Sequence, residues 1–491
     1  MPIGLAYIAA VLERDGCDVR LVDCLVSQYT AEKIKRAVEE HQPDIVGTTS
    51  VTLNYPVASE ILKYCKEASP DAVTVIGGPH VTFRPVETLA EAPWIDVVVR
   101  GEGEQTILEI VGRRELEEIA GIAYRAPEGI RLTKDRELIG DLDALPLPAR
   151  HLFPLSKYLA LGCHCSLVAG RGCPFNCVFC VGSKMGGRRA RYRDPRLIAD
   201  EVETAIKYGF TEINFEDDLL TLNHDHVRTF CDEVLSRGLR FNWSAFSRAD
   251  TVNAEILPRM KAAGCTWLLY GVESGNQEVL DRAKKKITLD RIRQGVELAK
   301  QHGIEVMASF IIGLPGETRE TLQDTVDFAK ELGTFYGFNV LAPFPGTEVW
   351  ERAADYGIEI LTDDWTKYDA NQAVSRTNEV GPDEINEVLS DYYEGLGVPP
   401  IGSDAQGDQS GGGSARRKPR SPLAWHILQN DVIESLGRLS AGADPVEDLV
   451  NKVAERTQYP RDHVDENIRR WVGDGLLKYD SSGDLVVWRW S

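Results

Sequence analysis

Cys173, Cys177 and Cys180 stand at C-x3-C-x2-C spacing in Arg171-Gly-Cys-Pro-Phe-Asn-Cys-Val-Phe-Cys180, directly after the short apolar run Ser166 to Ala169. Three thiolates on a tight loop can hold three irons of a cubic cluster, whereas an electron-transfer cluster is normally closed by four cysteines. The iron left without a cysteine is open to substrate chemistry, by the logic that separates catalytic from structural zinc. A structural zinc completed by Cys163, His164 or Cys165 is the alternative. Zinc ribbons, however, pair two C-x2-C knuckles, and only one such triplet occurs among the ten cysteines. Cys17, Cys24, Cys65, Cys231 and Cys265 sit singly within helix or strand patterns and read as small apolar groups, which fits a reducing compartment.

At 491 residues the chain has room for about three domains. Its net charge of −21 argues against a general nucleic-acid or anionic-membrane binder, since neutralising phosphates needs a surplus of Lys and Arg. The run Lys184 to Arg193 (KMGGRRARYR) is the local exception. It reads either as a solvated basic loop or, because it starts at the cysteines, as a surface for anionic substrate groups. No stretch approaches the ~18 consecutive apolar residues of a membrane helix, and Glu13 already interrupts the N-terminus, so no signal peptide and a cytoplasmic location are expected.

Residues 1 to 112 alternate helix and strand at the pace of a doubly wound parallel sheet. The expected elements are a helix over Pro2 to Arg14, a strand over Val19 to Asp23, a helix over Ala31 to His41 and strands over Asp44 to Thr49, Val73 to Ile76 and Ile95 to Val99. The last two strands run into Gly77-Gly78-Pro79-His80 and Gly101-Glu-Gly-Glu104. Glycines after strands let backbone approach a ligand at the carboxyl edge, where open α/β folds bind. Alone, this alternation fits a nucleotide-like ligand or a purely structural domain equally well. Gly121 to Arg136 reads as a hairpin, and the proline-rich stretch Asp141 to Tyr158 as a connector.

From Ser166 to about Tyr356 strand and helix alternate six times, which predicts an open parallel barrel with its site at the carboxyl ends of the strands. Those ends carry Glu216-Asp217-Asp218, Ser247-Arg248-Ala249-Asp250, Gly271-Val-Glu273-Ser-Gly275 and Gly313-Leu-Pro-Gly-Glu-Thr318. Burying three adjacent carboxylates is costly, so the first set belongs at the barrel mouth, with helix capping by Asp217 or Asp218 as the alternative. Arg248 suits a bidentate fork on a carboxylate or a surface pair with Asp250. Glu317 also suits the positive end of the helix that follows.

The cysteine spacing, with aromatic Phe179 before the last cysteine, resembles the signature of the radical SAM enzymes. The resemblance implies a 4Fe-4S cluster on Cys173, Cys177 and Cys180 whose open iron chelates S-adenosylmethionine (SAM). It places Phe179 by the adenine, Glu216 at the methionine amino group, Arg248 at the methionine carboxylate, Glu273 at the ribose, and Gly313 and Gly316 along the adenine. The opening PIGLAYIAAVLE, the GGPH and the GEGE together resemble the cobalamin-binding domain that precedes many radical SAM cores. Ser50, Gly77, Gly78, Gly101, Glu102, Gly103 and Glu104 are then its expected contacts. That family has a strand ahead of the first helix, lying inside the sheet. The present chain opens on the helix, so either it is truncated or its sheet lacks that strand. No D-x-H-x-x-G, which supplies a lower cobalt ligand in some relatives, occurs in the chain. His80 reads as a loop histidine bonded to backbone, with a cobalt ligand as the alternative.

The expected organisation is a Rossmann-like cobalamin-type domain over 1–140, a connector over 141–160, a partial (β/α)6 barrel over 161–356, an extension over 357–394, a flexible linker over 395–421 and a winged-helix-like domain over 422–491. In the last, helices are expected over about Val432 to Leu439, Pro445 to Thr457 and Arg461 to Val472, with a hairpin over Leu476 to Trp490 turning at Ser481-Ser-Gly483. Acids outnumber bases across 432–491, which disfavours DNA, so partner or substrate docking is the expected role of the last domain. The resemblance implies an enzyme that cleaves SAM reductively to a 5'-deoxyadenosyl radical and methylates an unactivated carbon of a small-molecule or peptide substrate. Its electrons would come from a flavodoxin or ferredoxin. Oxidative ring formation of the tetrapyrrole-cyclase type and a non-catalytic cobalamin sensor linked to DNA are the alternatives.

Overall fold

A computed structural model of the chain describes residues 1–27, 29–395, 422–436, 438–440, 444–482 and 485–491. The first sheet contains β1 (Ile45–Thr49), β2 (Val73–Gly77), β3 (Val97–Val99), β4 (Ile122–Ala126) and β5 (Gly129–Leu132), in that spatial order. β1 to β3 are parallel, and the hairpin β4–β5 joins antiparallel to β3. All three residues of β3 are buried, as expected of an apolar strand covered on both faces. The helices Ile3–Arg14 and Ala31–His41 form as expected, the second capped by Thr30, whose side chain accepts from Lys33 N.

Val19 to Asp23 does not form the expected strand. The inner strand that the resemblance places ahead of the first helix does not occur among the described residues, and β1 forms the edge of the sheet. The neighbour this segment would pair with is therefore missing, and an extended segment without a ladder partner gains nothing from strand geometry. Val22 stays 56% exposed. Asp23 instead accepts from Tyr158 Oη at 2.6 Å and Leu25 N at 2.8 Å.

The second sheet holds β6 (Cys165–Leu167), β7 (Glu212–Phe215), β8 (Asn242–Ser247), β9 (Cys265–Glu273), β10 (Glu305–Ile312) and β11 (Phe335–Val340). They lie side by side in chain order, all parallel, as an open barrel. The outer helix Pro195–Lys207 shows why the sequence folds this way. Asp194 caps it, Pro195 occupies its first turn, and Ile198, Val202 and Ala205 lie buried at helical spacing.

The connector holds only the 3-10 turns Leu142–Ala144 and Arg150–Leu152 before the short helix Leu155–Ala160. Its Arg150 donates to Glu201 Oε1 at 2.6 Å and to the Ser166 carbonyl at 2.5 Å. Arg193 binds the other oxygen of Glu201 and donates to Tyr7 Oη at 3.1 Å. This buried group ties the first helix, the connector and the barrel into one body, and each charge in it has an opposite partner.

At the C-terminus, helices Pro422–Leu436, Pro445–Thr457 and Arg461–Gly473 pack with a three-stranded sheet of Arg438–Ser440, Leu485–Trp490 and Leu477–Ser482, in that order. The expected helix over Val432 to Leu439 is corrected: the helix begins at Pro422 and ends at Leu436, because Leu439 is drawn into a strand opposite Val486. Trp471 is fully buried, and its Nε1 donates to the Ala160 carbonyl at 3.2 Å, joining this unit to the connector helix. Nearly all of the linker expected over 395–421, and the end of the hairpin turn, lie outside the described residues. Among the described residues no helix is long and apolar enough to cross a membrane.

Candidate active site

The cysteine loop starts where β6 ends, and carboxylates at the end of β7 hold its backbone. Asp217 Oδ2 accepts from Ala169 N at 3.0 Å, and Asp218 Oδ2 accepts from Gly172 N at 2.8 Å. Neither caps a helix; Asn223 caps the helix that follows, His224–Ser236. Burial pushes the Asp217 carboxyl up to about 7 against the pull of the Ala169 and Gly170 N–H groups. Gly172 has φ +103°, and a Cβ there would lie 2.7 Å from the Gly186 carbonyl, so only glycine fits this crossing. Cys173 N donates to the Gly187 carbonyl at 3.0 Å and Val178 N to the Ala283 carbonyl at 3.1 Å. Gly182 N donates to Cys180 Sγ at 3.3 Å.

Burial raises the pKa of all three thiols, and that of Cys180, although its residue faces open space, reaches about 11. The charges of Arg248 and Lys285 pull Cys173 and Cys177 the other way. Bound iron would complete what these cations begin, since a coordinated thiol is deprotonated outright. Among the described residues no three His, Cys, Asp or Glu side chains converge on a point suited to one metal ion. A cubic cluster takes one thiolate per iron and requires no such convergence.

Arg248 is 5% exposed, so its pair with Asp250 is not a surface pair. Nε and Nη2 fork onto the two Asp250 oxygens at 2.9 Å each, and Nη1 and Nη2 also donate to the Lys285 and Lys286 carbonyls at 2.9 and 3.4 Å. Its guanidinium carbon lies 3.8 Å from the ring centre of Phe175, inside the cysteine loop. Glu273 ends β9 with φ +73°, an uncommon conformation for a residue with a side chain. It is buried and paired with Lys285 Nζ at 2.6 Å. Gly271 makes room for that pair, because a Cβ there would fall 2.4 Å from Glu273 Oε1. Lys285 Nζ is 6.0 Å from the centre of the Phe179 ring.

Glu216 is exposed and accepts from Asn214 Nδ2 at 2.9 Å and Ser166 Oγ at 3.2 Å. After β10, Gly313 and Gly316 have φ +90° and +75°. Glu317 folds back onto this turn and accepts from Gly313 N at 2.6 Å, while Thr318 caps the helix that follows. Its Oε1 is buried without a hydrogen-bond partner, and burial pushes the carboxyl up to about 8. The structure thus gathers Phe175, Phe179, Arg248, Glu273 and Lys285 around the cysteine loop. Lys285 and Phe175 are the members the sequence reading missed. Lys284-Lys285-Lys286 carried no signal beyond a charge run, although a single lysine buried beside a carboxylate is what distinguishes the middle one.

At the carboxyl edge of the first sheet, Ser50 N donates to the Gly77 carbonyl at 2.9 Å, and a Cβ on Gly78 would lie 2.3 Å from the Ser50 carbonyl. A Cβ on Gly101, at φ +74°, would meet nothing within 4 Å, which leaves that strand end approachable. Val51 and Leu53 beside them are 50% and 40% exposed, an apolar surface suited to a flat macrocycle. His80 is buried against Tyr55 and Trp365, with Nδ1 3.3 Å from Thr52 Oγ1, so its side chain meets a hydroxyl rather than backbone. Burial pushes it down to about 4 and keeps it neutral. Glu102 and Glu104 face the cysteine loop. Glu102 is bound by Arg171 and Arg191, and Glu104 by Arg171. Of the basic run, Arg191 and Arg193 are therefore committed inside the protein and Lys184 pairs with Glu351, leaving Arg188 and Arg189 exposed.

The radical SAM superfamily model matches residues 167–329, and the B12 binding domain model matches residues 1–111. An uncharacterised methyltransferase of Pyrococcus horikoshii is 37% identical over 399 residues, covering 80% of this chain and 86% of the relative. The anaerobic magnesium-protoporphyrin IX monomethyl ester cyclase of Rubrivivax gelatinosus is 32% identical over 410 residues, covering 80% and 73%. Among solved structures, the radical SAM methyltransferase TsrM of Kitasatospora setae, with cobalamin and a [4Fe-4S] cluster bound, aligns over 96% of this chain and 97% of its own at 18% identity, with a TM-score of 0.69. That likeness is one of fold.

Proposed function

Because the chain belongs to the radical SAM superfamily, in the group whose members carry a B12-binding domain, we propose that it methylates an unactivated carbon of a small-molecule or peptide substrate. Its cofactors are a 4Fe-4S cluster, SAM and cobalamin. When bound, the cluster and SAM supply a 5'-deoxyadenosyl radical and the cobalamin supplies a methyl carrier.

In this reading Cys173, Cys177 and Cys180 hold the cluster. Phe179, Glu216, Arg248, Glu273, Gly313 and Gly316 surround SAM, and Ser50, Gly77, Gly78, Gly101 and Gly103 meet the cobalamin. Arg248 has one N–H left after its contacts with Asp250 and the two carbonyls, enough for one bond to a carboxylate. The Glu273–Lys285 pair presents a hydrogen-bonding wall beside Phe179 with its charge already balanced. Val178, inside the loop, is fully buried against Val279, Ala283 and Leu314, and Phe179 packs half-buried on the same cluster.

The observation that carries the proposal is one chain joining a loop of three cysteines at C-x3-C-x2-C spacing to a B12-type sheet edge. The test is reaction of the anaerobic protein with methyl-labelled SAM, a low-potential reductant such as flavodoxin, and a fractionated metabolite pool. A product that gains the labelled methyl supports methyl transfer. A product that loses hydrogens or gains oxygen without label would assign ring formation instead, the reading favoured by the cyclase relative.

A further inference from the structure

The GEGE loop lies at the carboxyl end of β3, on the ligand edge of the first sheet, yet its two acidic side chains reach into the other domain. Glu102 Oε1 accepts from Arg171 Nη1 at 3.1 Å and Arg191 Nη2 at 2.9 Å. Its Oε2 accepts from Arg191 Nη1 at 3.0 Å and Ile139 N at 2.7 Å. Four donors fill the acceptor capacity of a carboxylate, so Glu102 has nothing left for a ligand. Glu104 Oε1 accepts from Arg171 Nη2 at 2.6 Å. Both carboxylates are nearly buried, with side chains 9% and 6% exposed.

The arginines grip the cysteine loop from both sides. Arg171 is two residues ahead of Cys173, and Arg191 donates to the Gly186 carbonyl at 2.8 Å, on the segment whose Gly187 carbonyl accepts from Cys173 N. A bidentate arginine fork fixes orientation as well as distance, which a lysine or a single hydrogen bond does not. A displacement of one domain against the other would strand these buried charges, so the contact has one low-energy register.

We propose that Glu102 and Glu104, through Arg171 and Arg191, are positioning residues that set the separation between the cobalamin and the iron–sulfur cluster. This rests on the cofactor assignment under Proposed function and deepens it: the two acidic residues of GEGE act on the relation between the cofactors, and the glycines of the same motif serve the ligand.

The test is pulsed EPR on the anaerobically loaded full chain, reading the dipolar distance between cob(II)alamin and the reduced cluster in the native protein and in the Glu102→Gln, Glu104→Gln and Arg191→Lys variants. The expected result is native iron, sulfide and cobalamin content with a distance distribution that shifts and broadens. An unchanged distribution in a variant that loads both cofactors would overturn the proposal. So would a set of variants that all fail to load cobalamin, since the carboxylates would then be binding groups. If only Glu102→Gln fails to fold, Arg191→Lys decides, because it keeps the charge and loses only the fork. A native chain that yields neither signal refutes the cofactor assignment itself, before any variant is made.

Discussion

Lys285 and Glu273 balance each other in a buried position next to the cysteine loop. Lys285→Met leaves the Glu273 carboxylate unpaired and is expected to cost about 3–5 kcal/mol, seen as a lowered thermal midpoint that adding Glu273→Gln recovers. Glu317 titrates in the opposite sense from an ion-paired acid. Its folded pKa is raised from 4.5 to about 8, so its contribution is whole below 4.5 and is given up as pH rises toward 8. Glu317→Gln should therefore flatten a fall in stability of up to about 1.4 kcal/mol per pH unit across that window, measured as the thermal midpoint against pH. The cysteine triplet was legible because its spacing is local, all within ten residues of sequence. The partners of Glu102, Arg171 and Arg191 were not, because each lies some 70–90 residues away and charge type alone does not name a partner.

Among the elements, the crossing of the Ser50 and Gly78 loops is the tightest point at the ligand edge of the first sheet. Gly78→Ala, at φ +101° and 2.3 Å from the Ser50 carbonyl, should displace that edge and abolish cobalt binding while iron content stays native. Gly4→Ala, within the first helix where a side chain meets nothing, should keep its cobalt; metal analysis of both variants makes the comparison. Most elements were readable from period and punctuation, as with the helix over Ala31 to His41 and the six barrel strands in order. Val19 to Asp23 has strand composition, but composition does not say whether a neighbour exists to pair with it. The stretch from Val432 to Leu439 was misread for a related reason. Leu439 is apolar at a spacing either a helix or a strand could use, and its pairing with Val486 decides.

The whole molecule places a B12-type sheet edge against a radical SAM barrel and fixes the contact twice, through the Arg150–Glu201–Arg193 group and through the GEGE carboxylates. The C-terminal unit is joined to the same connector by Trp471, whose indole N–H meets the Ala160 carbonyl. Acids outnumber bases across 432–491, a balance that counts against nucleic acid as its partner. Everything chemical depends on the three sulfurs at the centre of this arrangement. The direct measurement is iron, acid-labile sulfide and 5'-deoxyadenosine in anaerobically purified native protein and in its Cys173→Ala, Cys177→Ala and Cys180→Ala variants, after addition of reductant and SAM. The native chain should carry about four irons and four sulfides and form 5'-deoxyadenosine, and each variant should lose both the cluster and the product. A colourless native protein with zinc at the loop, or 5'-deoxyadenosine formed undiminished by any one of the variants, would contradict the account.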